Sequence, residues 1–232
     1  MRKCSRTVLF ILVYTIYHLS TAFGAEICVS TPAEFQNALY QAEQNQEDDL
    51  IKVQQGTYSG YDLYYNFNKE HNITVRGGYT AGCASRQLNP ANTILDGSNA
   101  RRPLWLFSSN GGNITIEGFT IRNGKSPSTG DGGGLYLIAS HSTLAGNITV
   151  TNNIIVSNAA ENNGGGIYAK SQSNPNGTAG SVTISNNTIS NNLASGQTYA
   201  SGGGVYAESY SFDGSSGNVV VTNNTVTGNT ST

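Results

Sequence analysis

Three tyrosines recur behind a glycine-rich segment in the second half of the chain. They are Tyr136, Tyr168 and Tyr206, which end the sequences GGGLY, GGGIY and GGGVY. Neighbouring side chains of a strand point to opposite faces. If the residues on both sides of each tyrosine are buried, all three tyrosines therefore point outward. In stacked strands they would lie about 4.8 Å apart. Such a row could be a platform for sugar rings, or the rings could stack on one another and cover the sheet.

Acid and base chemistry on a glycosidic bond needs two carboxyl groups that flank the bond. The regular part of the chain, residues 113–232, offers few acids for this purpose. It contains Glu117, Asp131, Glu161, Glu208 and Asp213, and none of them recurs at the same point of successive repeats. The sequence therefore predicts no catalytic site and no metal site in this part, and it indicates no cofactor.

One carboxylate of the less regular first part, Asp96, follows a short apolar run. Four charged residues are candidates to lie near it: Glu70, Arg76, Arg101 and Arg102. A carboxylate among basic side chains could form a site. In the other interpretation, Asp96 and Gly97 make a turn and the arginines are solvated or paired.

These residues belong to a chain whose second half repeats. Related segments begin at Ile114 (ITIEGFTIRN), Ile148 (ITVTNNIIVSN), Val182 (VTISNNTISNN) and Val219 (VVVTNNTVTGN), and their starts are 34, 34 and 37 residues apart. Self-similarity at this period is typical of a solenoid. Each repeat contains two short strands around a polar corner and then the glycine-rich strand, which predicts three strands per coil.

Asparagine pairs occupy the corner between the first two strands of a repeat. The pairs are Asn152-Asn153, Asn186-Asn187 and Asn223-Asn224, with Gly118-Phe119 in the first copy. Asparagine tolerates left-handed backbone angles, and equivalent side chains can bond to each other in a ladder between stacked coils. Asn-X-Thr patterns at Asn72, Asn113, Asn147 and Asn176 match the N-glycosylation signal, but composition alone accounts for them in a chain so rich in Asn and Thr.

The N-terminal part predicts a helix that covers one end of the solenoid. Thr31 is placed as the N-cap, Pro32 at the first helical position, and Glu34 at the position that completes a capping box. An apolar stripe follows at helical spacing to about residue 43: Phe35, Ala38, Leu39 and Ala42. An amphipathic helix of this kind covers core that the first coil would otherwise expose.

Residues 1–24 have the pattern of a Sec-type secretory signal peptide, with a basic start, an apolar run and small residues before Ala25. Its removal leaves Cys28 and Cys83, which predict one disulfide in an exported chain. It also leaves nine Lys and Arg against 14 Asp and Glu, a net charge of −5 that argues against nucleic acid as a partner. No later segment is apolar and long enough for a transmembrane helix.

Several of these motifs together resemble the secreted right-handed parallel β-helix proteins of bacteria: the T-P-A-E-F helix start, the N-P-A-N-T-I-L-D-G segment, and the V-T-I-x-N-N-x-I and G-G-G-I-Y repeats. Those proteins form the pectin-lyase-like superfamily and include polymorphic outer-membrane-protein-like repeats. The resemblance implies an all-β, right-handed parallel β-helix solenoid with three short strands per coil and an N-terminal amphipathic cap helix. We expect the cap and irregular coils over residues 25–112, and regular coils over residues 113–232 whose end is covered by further coils or a partner.

The resemblance leaves the activity open, because this scaffold hosts lyases, hydrolases, epimerases and adhesins. The lack of repeated carboxylates favours a secreted or cell-surface protein without catalysis, adhesin-like or in contact with a polysaccharide or cell-surface glycan through Tyr136, Tyr168 and Tyr206. The alternative is a carbohydrate-active enzyme of the pectin-lyase-like superfamily, a polysaccharide lyase, hydrolase or epimerase. Its site would use Asp96 and the arginines, or residues beyond Thr232.

Overall fold

The computed structural model describes residues 24–68, 70–128, 130–196 and 200–232, which form a mostly β structure with one α-helix. The signal peptide expected over residues 1–24 lies outside the described residues, apart from Gly24. The elements of the first part are β1 (Glu26–Val29), α1 (Pro32–Gln44), β2 (Asp49–Gln54), β3 (Gly56–Ser59), β4 (Leu63–Phe67), β5 (Ile73–Tyr79), β6 (Thr93–Asp96), β7 (Leu104–Ser108), β8 (Ile114–Glu117) and β9 (Thr120–Arg122). Those of the second part are β10 (Leu135–His141), β11 (Ile148–Thr151), β12 (Ile154–Val156), β13 (Ala159–Ala160), β14 (Ile167–Ser173), β15 (Val182–Ser185), β16 (Thr188–Ser190), β17 (Leu193–Ala194), β18 (Val205–Ser211), β19 (Val219–Thr222), β20 (Thr225–Thr227) and β21 (Thr230–Ser231).

The strands form four sheets, and all paired strands in them are parallel. Their orders are β1-β2-β5-β8-β11-β15-β19, β4-β7-β10-β14-β18, β3-β6-β9-β12-β16-β20 and β13-β17-β21. Neighbours in a sheet therefore come from successive turns of the chain rather than from adjacent segments. This is the arrangement of a parallel β-solenoid, in agreement with the sequence repeat.

The repeat also predicts the register of the regular coils correctly. Val150 pairs with Ile116 on one side and with Ile184 on the other, and these three side chains are fully buried. Ile155 is the buried member of the next strand in the same coil and lies in an equivalent stack. Each such side chain contributes about 1.5–3 kcal/mol when it leaves water, so the interior is a continuous aliphatic core.

Helix α1 covers the first coil as predicted. Its N-cap is Thr31, whose Oγ1 accepts the N–H of Glu34 at 3.2 Å, and its apolar stripe is buried against β1, β2 and β4. The carboxylate of Glu34 also accepts the N–H and the hydroxyl of Ser30, at 2.7 and 2.8 Å.

The corner asparagines form the predicted ladder. Asn152 and Asn186 adopt φ values of 56° and 58°, in the left-handed region that asparagine tolerates. The second member of each pair turns inward, and Oδ1 of Asn187 accepts the N–H and Nδ2 of Asn153 at 2.9 and 3.1 Å. Asn224 repeats this contact with Asn187 at 2.8 and 3.0 Å.

A second ladder, which the sequence analysis missed, begins at Asp48 and runs along the start of the seven-stranded sheet. Its members are Asp48, Asn72, Asn113, Asn147 and Ser181, each bonded to the backbone N–H of the next. The Asn-X-Thr patterns at Asn72, Asn113 and Asn147 therefore mark equivalent points of successive coils. Composition is the wrong explanation for those three, because the fold uses the carboxamide of each one. A third ladder joins Asn158, Asn192 and Asn229.

Several strands of the structure were not specified by the sequence. Residues 56–59 form β3, and β5 includes Gly77 and Gly78. Strand β4 was not predicted, because tyrosines occur on both of its faces and hide the alternation of buried and exposed positions. The sheet of two-residue strands, β13-β17-β21, carries too little pattern to be recognised in the sequence.

Cys28 and Cys83 lie at disulfide distance, with their Cα atoms 5.9 Å apart. This is the pairing that the sequence predicts, and it ties β1 to the segment that follows β5. Among the residues that the structure describes, no helix is long and apolar enough to span a membrane.

Candidate functional site

The three candidate tyrosines lie in one row on the outer face of the five-stranded sheet. Tyr168 pairs in register with Tyr136 and with Tyr206. Leu135 and Leu137, which flank Tyr136, are fully buried, so the tyrosine between them turns outward. The ring centroids of Tyr136 and Tyr168 are 5.1 Å apart and those of Tyr168 and Tyr206 are 5.0 Å apart, with interplanar angles of 8° and 4°.

The row is less accessible than an exposed platform would be. Only 8% of Tyr168 is exposed, because its two faces are covered by the rings of its neighbours. Burial raises the pKa of Tyr136, of Tyr168 and of Tyr206, so all three hydroxyls stay neutral at physiological pH. The row presents ring edges and hydroxyl groups to solvent, and a sugar ring cannot stack on the face of Tyr168.

Two further aromatic rings extend the row. Tyr64 on β4 and Trp105 on β7 occupy the same register position as Tyr136. The rings of Tyr64 and Trp105 stack at 4.4 Å, whereas Trp105 and Tyr136 are 6.0 Å apart and tilted by 37°. The available signal was an aromatic residue between two apolar ones, Leu-Tyr-Tyr and Leu-Trp-Leu, but without the three glycines that marked the later strands.

A groove of about 410 Å³ opens beside this end of the row. Its lining is Asp62, Leu63, Tyr64, Ala100, Arg101, Arg102, Trp105, Lys125 and Pro127. Tyr64 is 40% exposed, so the aromatic wall is more accessible here than at Tyr168. The groove combines aromatic surface with three cations and a single carboxylate.

The three cations are held in different ways. Arg102 lies with its guanidinium carbon 4.8 Å from the ring centroid of Tyr136, and its Nε donates to the carbonyl of Gly132 at 2.6 Å. Burial lowers the pKa of Arg102, but an arginine guanidinium stays protonated. Arg101 donates to a backbone carbonyl at 2.9 Å and lies 3.9 Å from a carboxylate oxygen of Asp62.

Lys125 is exposed, and its ammonium group has no hydrogen-bond or ion-pair partner in the described part of the chain. It is therefore the cation most available to a ligand. A carboxylate or sulfate that entered the groove would meet this ammonium group and the aromatic edge of Trp105 together.

The structure does not bring the residues expected around Asp96 into one site. Asp96 accepts the backbone N–H of Ser98 at 2.9 Å, Nε of Arg122 at 2.7 Å and Nδ2 of Asn123 at 3.1 Å. Burial acts to raise the pKa of Asp96, but these hydrogen bonds outweigh it and lower the pKa. Arg76 instead forms an ion pair with Glu117 at 3.1 Å. Asp96 thus has the geometry of a turn with a paired arginine.

No group of three or more His, Cys, Asp and Glu side chains suited to a metal ion occurs within the described ranges. The comparisons with known proteins give no further guide to the site. No family model, no curated protein and no solved structure matches this chain.

Proposed function

We propose that this chain is a secreted or cell-surface protein that contacts a glycan without catalysing its cleavage. The observation that carries the proposal is the groove, in which Tyr64 and Trp105 lie beside Arg101, Arg102 and Lys125. Aromatic rings offer flat apolar area to the C–H face of a sugar, and cationic side chains bind its acidic substituents. We place these contacts on a right-handed parallel β-helix with three main strands in each coil.

The charge of the groove favours a glycan that carries carboxylate or sulfate groups. Arginine presents a fork of donors that matches an oxyanion, and hydrogen bonds to charged groups contribute about 1.5–3 kcal/mol each. Tyr136, Tyr168 and Tyr206 extend one wall of this site along the sheet. Their hydroxyl edges would hydrogen-bond to a glycan that continues past the groove, in place of the stacking contacts predicted from the sequence.

The alternative, a carbohydrate-active enzyme, has less support. Glycosidic cleavage by an acid and a base needs two carboxyl groups on opposite sides of the bond. Asp62 is the only carboxylate among the described lining residues of the groove. Asp96, the other candidate, is engaged by Arg122 and by the turn that contains it.

An extracytoplasmic location follows from the expected signal peptide and agrees with a disulfide, because disulfides persist in oxidising compartments. The valines of the last strands, Val219, Val221 and Val226, are about half exposed. We propose that further coils or a partner cover them, since open strand edges and exposed core otherwise promote association.

The experiment that tests this function compares the charge-reversal variants Lys125→Glu and Lys170→Glu on an array of acidic and neutral glycans. Lys170 is the matched control, a partly buried lysine on β14 of the five-stranded sheet that forms an ion pair with Glu208 at 3.1 Å. We expect Lys125→Glu to weaken binding of acidic glycans about tenfold, a loss of about 1.4 kcal/mol, and to leave neutral glycans unaffected. Lys170→Glu should change neither.

Equal effects of the two variants would contradict the proposed groove, and the absence of any retained glycan would contradict the function. The same samples are assayed for released reducing ends and unsaturated sugars. Turnover of a bound polysaccharide would instead support the alternative that the protein is a carbohydrate-active enzyme.

A further inference from the structure

Helix α1 contacts the five-stranded sheet through the side chain of one glutamine. The carboxamide of Gln36 binds both backbone groups of Tyr64: Nε2 donates to the carbonyl oxygen at 3.0 Å, and Oε1 accepts the N–H at 2.9 Å. Gln36 therefore pairs with β4 as the backbone of a further strand would. Leu63 and Tyr65, which flank Tyr64, are buried in the core that the helix covers.

Strand β4 depends on this contact because it is an edge strand. It stands last in the order of its sheet, and β7 is its neighbour among the described strands. In a parallel pair, alternate residues of an edge strand direct their N–H and C=O groups away from the neighbouring strand. Both backbone groups of Tyr64 point to this open edge, since both meet Gln36.

The residue that Gln36 holds is also an aromatic wall of the groove. The ring of Tyr64 stacks on Trp105 with a centroid distance of 4.4 Å and an interplanar angle of 12°. Trp105 lies on β7, which has a strand on each side, so the sheet fixes its backbone. Arg101 of the groove donates to the carbonyl of Gly60, in the loop that leads into β4, at 2.9 Å. Movement of β4 would therefore displace one aromatic wall and the acceptor of one cation.

We propose that the cap and the groove are coupled through Gln36, which is a positioning residue for Tyr64. While the helix is docked, the two hydrogen bonds hold the ring of Tyr64 against Trp105, and the groove has both aromatic walls. When the cap opens, β4 becomes a free edge, and segments with exposed hydrogen bonds and few buried contacts are the first to open. The effect on a glycan rests on the function proposed above, whereas the positioning of Tyr64 does not.

The coupling acts in both directions. A glycan that contacts Tyr64 binds the docked state more tightly than the open state, so it also holds the cap closed. By linkage, the factor by which the docked cap raises the affinity for the glycan equals the factor by which the glycan raises the docking equilibrium of the cap. Glycan binding at the groove should therefore be detectable in the amides of α1.

The first test needs no ligand, because Trp105 is the only tryptophan of the chain and its fluorescence reports on the stack with Tyr64. Gln36→Met keeps the length and helix propensity of the side chain but removes both hydrogen bonds. We expect a red shift of the emission and an increase in quenching by acrylamide. Asn37→Met is the matched control, because Asn37 is exposed and makes no side-chain hydrogen bond within the described part of the chain. It should change neither signal.

The second test adds a heparin oligosaccharide, a probe that carries both carboxylate and sulfate groups. Hydrogen exchange of the exported protein is measured with and without the probe. We expect the bound oligosaccharide to slow the exchange of α1 amides about fivefold or more, and Gln36→Met to weaken its binding by the same factor. Asn37→Met should bind the probe as the wild-type protein does.

The outcomes separate this proposal from the function on which it rests. An unchanged Trp105 signal in Gln36→Met would overturn the positioning of Tyr64. Binding of the probe without protection of α1, or full affinity of Gln36→Met, would overturn the coupling and leave the glycan function standing. A wild-type protein that retains no acidic glycan would contradict that function and the coupling with it, and the Trp105 signal would still decide the role of Gln36.

Discussion

At the scale of the residue, the inward-facing asparagines carry hydrogen bonds that no apolar side chain can replace. Asn187 is 2% exposed, accepts two hydrogen bonds from Asn153, and donates from Nδ2 to the carbonyl of Val150 at 2.9 Å. Asn187→Ala would leave these buried groups without partners. Because each unsatisfied buried group costs about 1–3 kcal/mol, we expect a loss of about 3 kcal/mol in the free energy of unfolding, measured with urea.

The neighbouring asparagine provides the matched control for this prediction. Asn186 is exposed, and its φ of 58° is the feature that the corner requires. Glycine adopts this φ without strain, so Asn186→Gly should change the free energy of unfolding by less than about 0.5 kcal/mol. Similar losses for the two variants would mean that corner geometry, rather than the ladder, stabilises the coils.

At the scale of the element, glycine is needed where the glycine-rich strands begin, because another stretch of backbone packs against them there. A Cβ atom on Gly166 would meet the carbonyl oxygen of Gly204 at 2.6 Å and Cγ of Asn192 at 3.0 Å. Gly166→Ala must therefore move either the following strand, β14, or the asparagine ladder. We expect a destabilisation of about 1–3 kcal/mol and a change in the near-ultraviolet circular dichroism of the tyrosine stack, since β14 carries Tyr168.

Gly60→Ala separates backbone strain from this steric clash. Gly60 has a φ of 80°, and no atom lies within 4 Å of the position that its Cβ would occupy. The cost of Gly60→Ala should stay near 1–2 kcal/mol, the cost of a left-handed residue, and the tyrosine signal should not change. An unchanged tyrosine signal in Gly166→Ala would show that the glycines do not position the row.

The same elements explain how far the sequence predicts this molecule. The helix, the equivalence of Val150 with Ile184 and the corner asparagines were predictable, because each depends on a local pattern that recurs. The groove was not predictable. Tyr64, Arg102 and Lys125 come from different turns of the chain, and only Lys125 belongs to the repeating part, so no repeat shows that the three become neighbours. The ladder that starts at Asp48 was hidden for a related reason, since aspartate and serine replace asparagine at two of its positions.

At the scale of the whole molecule, a solenoid is stabilised mainly by contacts between adjacent coils, so its parts can open separately. The Cys28–Cys83 disulfide restrains only the capped end, where it joins β1 to the segment after β5. In the chain-entropy model, a disulfide across a loop of this length is worth about 4 kcal/mol. Its removal should therefore lower the opening free energy of the cap and first coil and leave distant coils unaffected.

Hydrogen exchange of the Cys28→Ala, Cys83→Ala double variant measures this difference within one molecule. We expect amides of α1, β1 and β2 to exchange much faster than in the wild-type protein, because the cap would then be held by noncovalent contacts alone, its buried stripe and the hydrogen bonds between Gln36 and Tyr64. Amides of β14 and β15 lie several coils away, serve as the internal control, and should exchange at the wild-type rate. Equal acceleration across all sheets would instead mean that the solenoid unfolds as one cooperative unit, and the cap would then also control the stability of the groove.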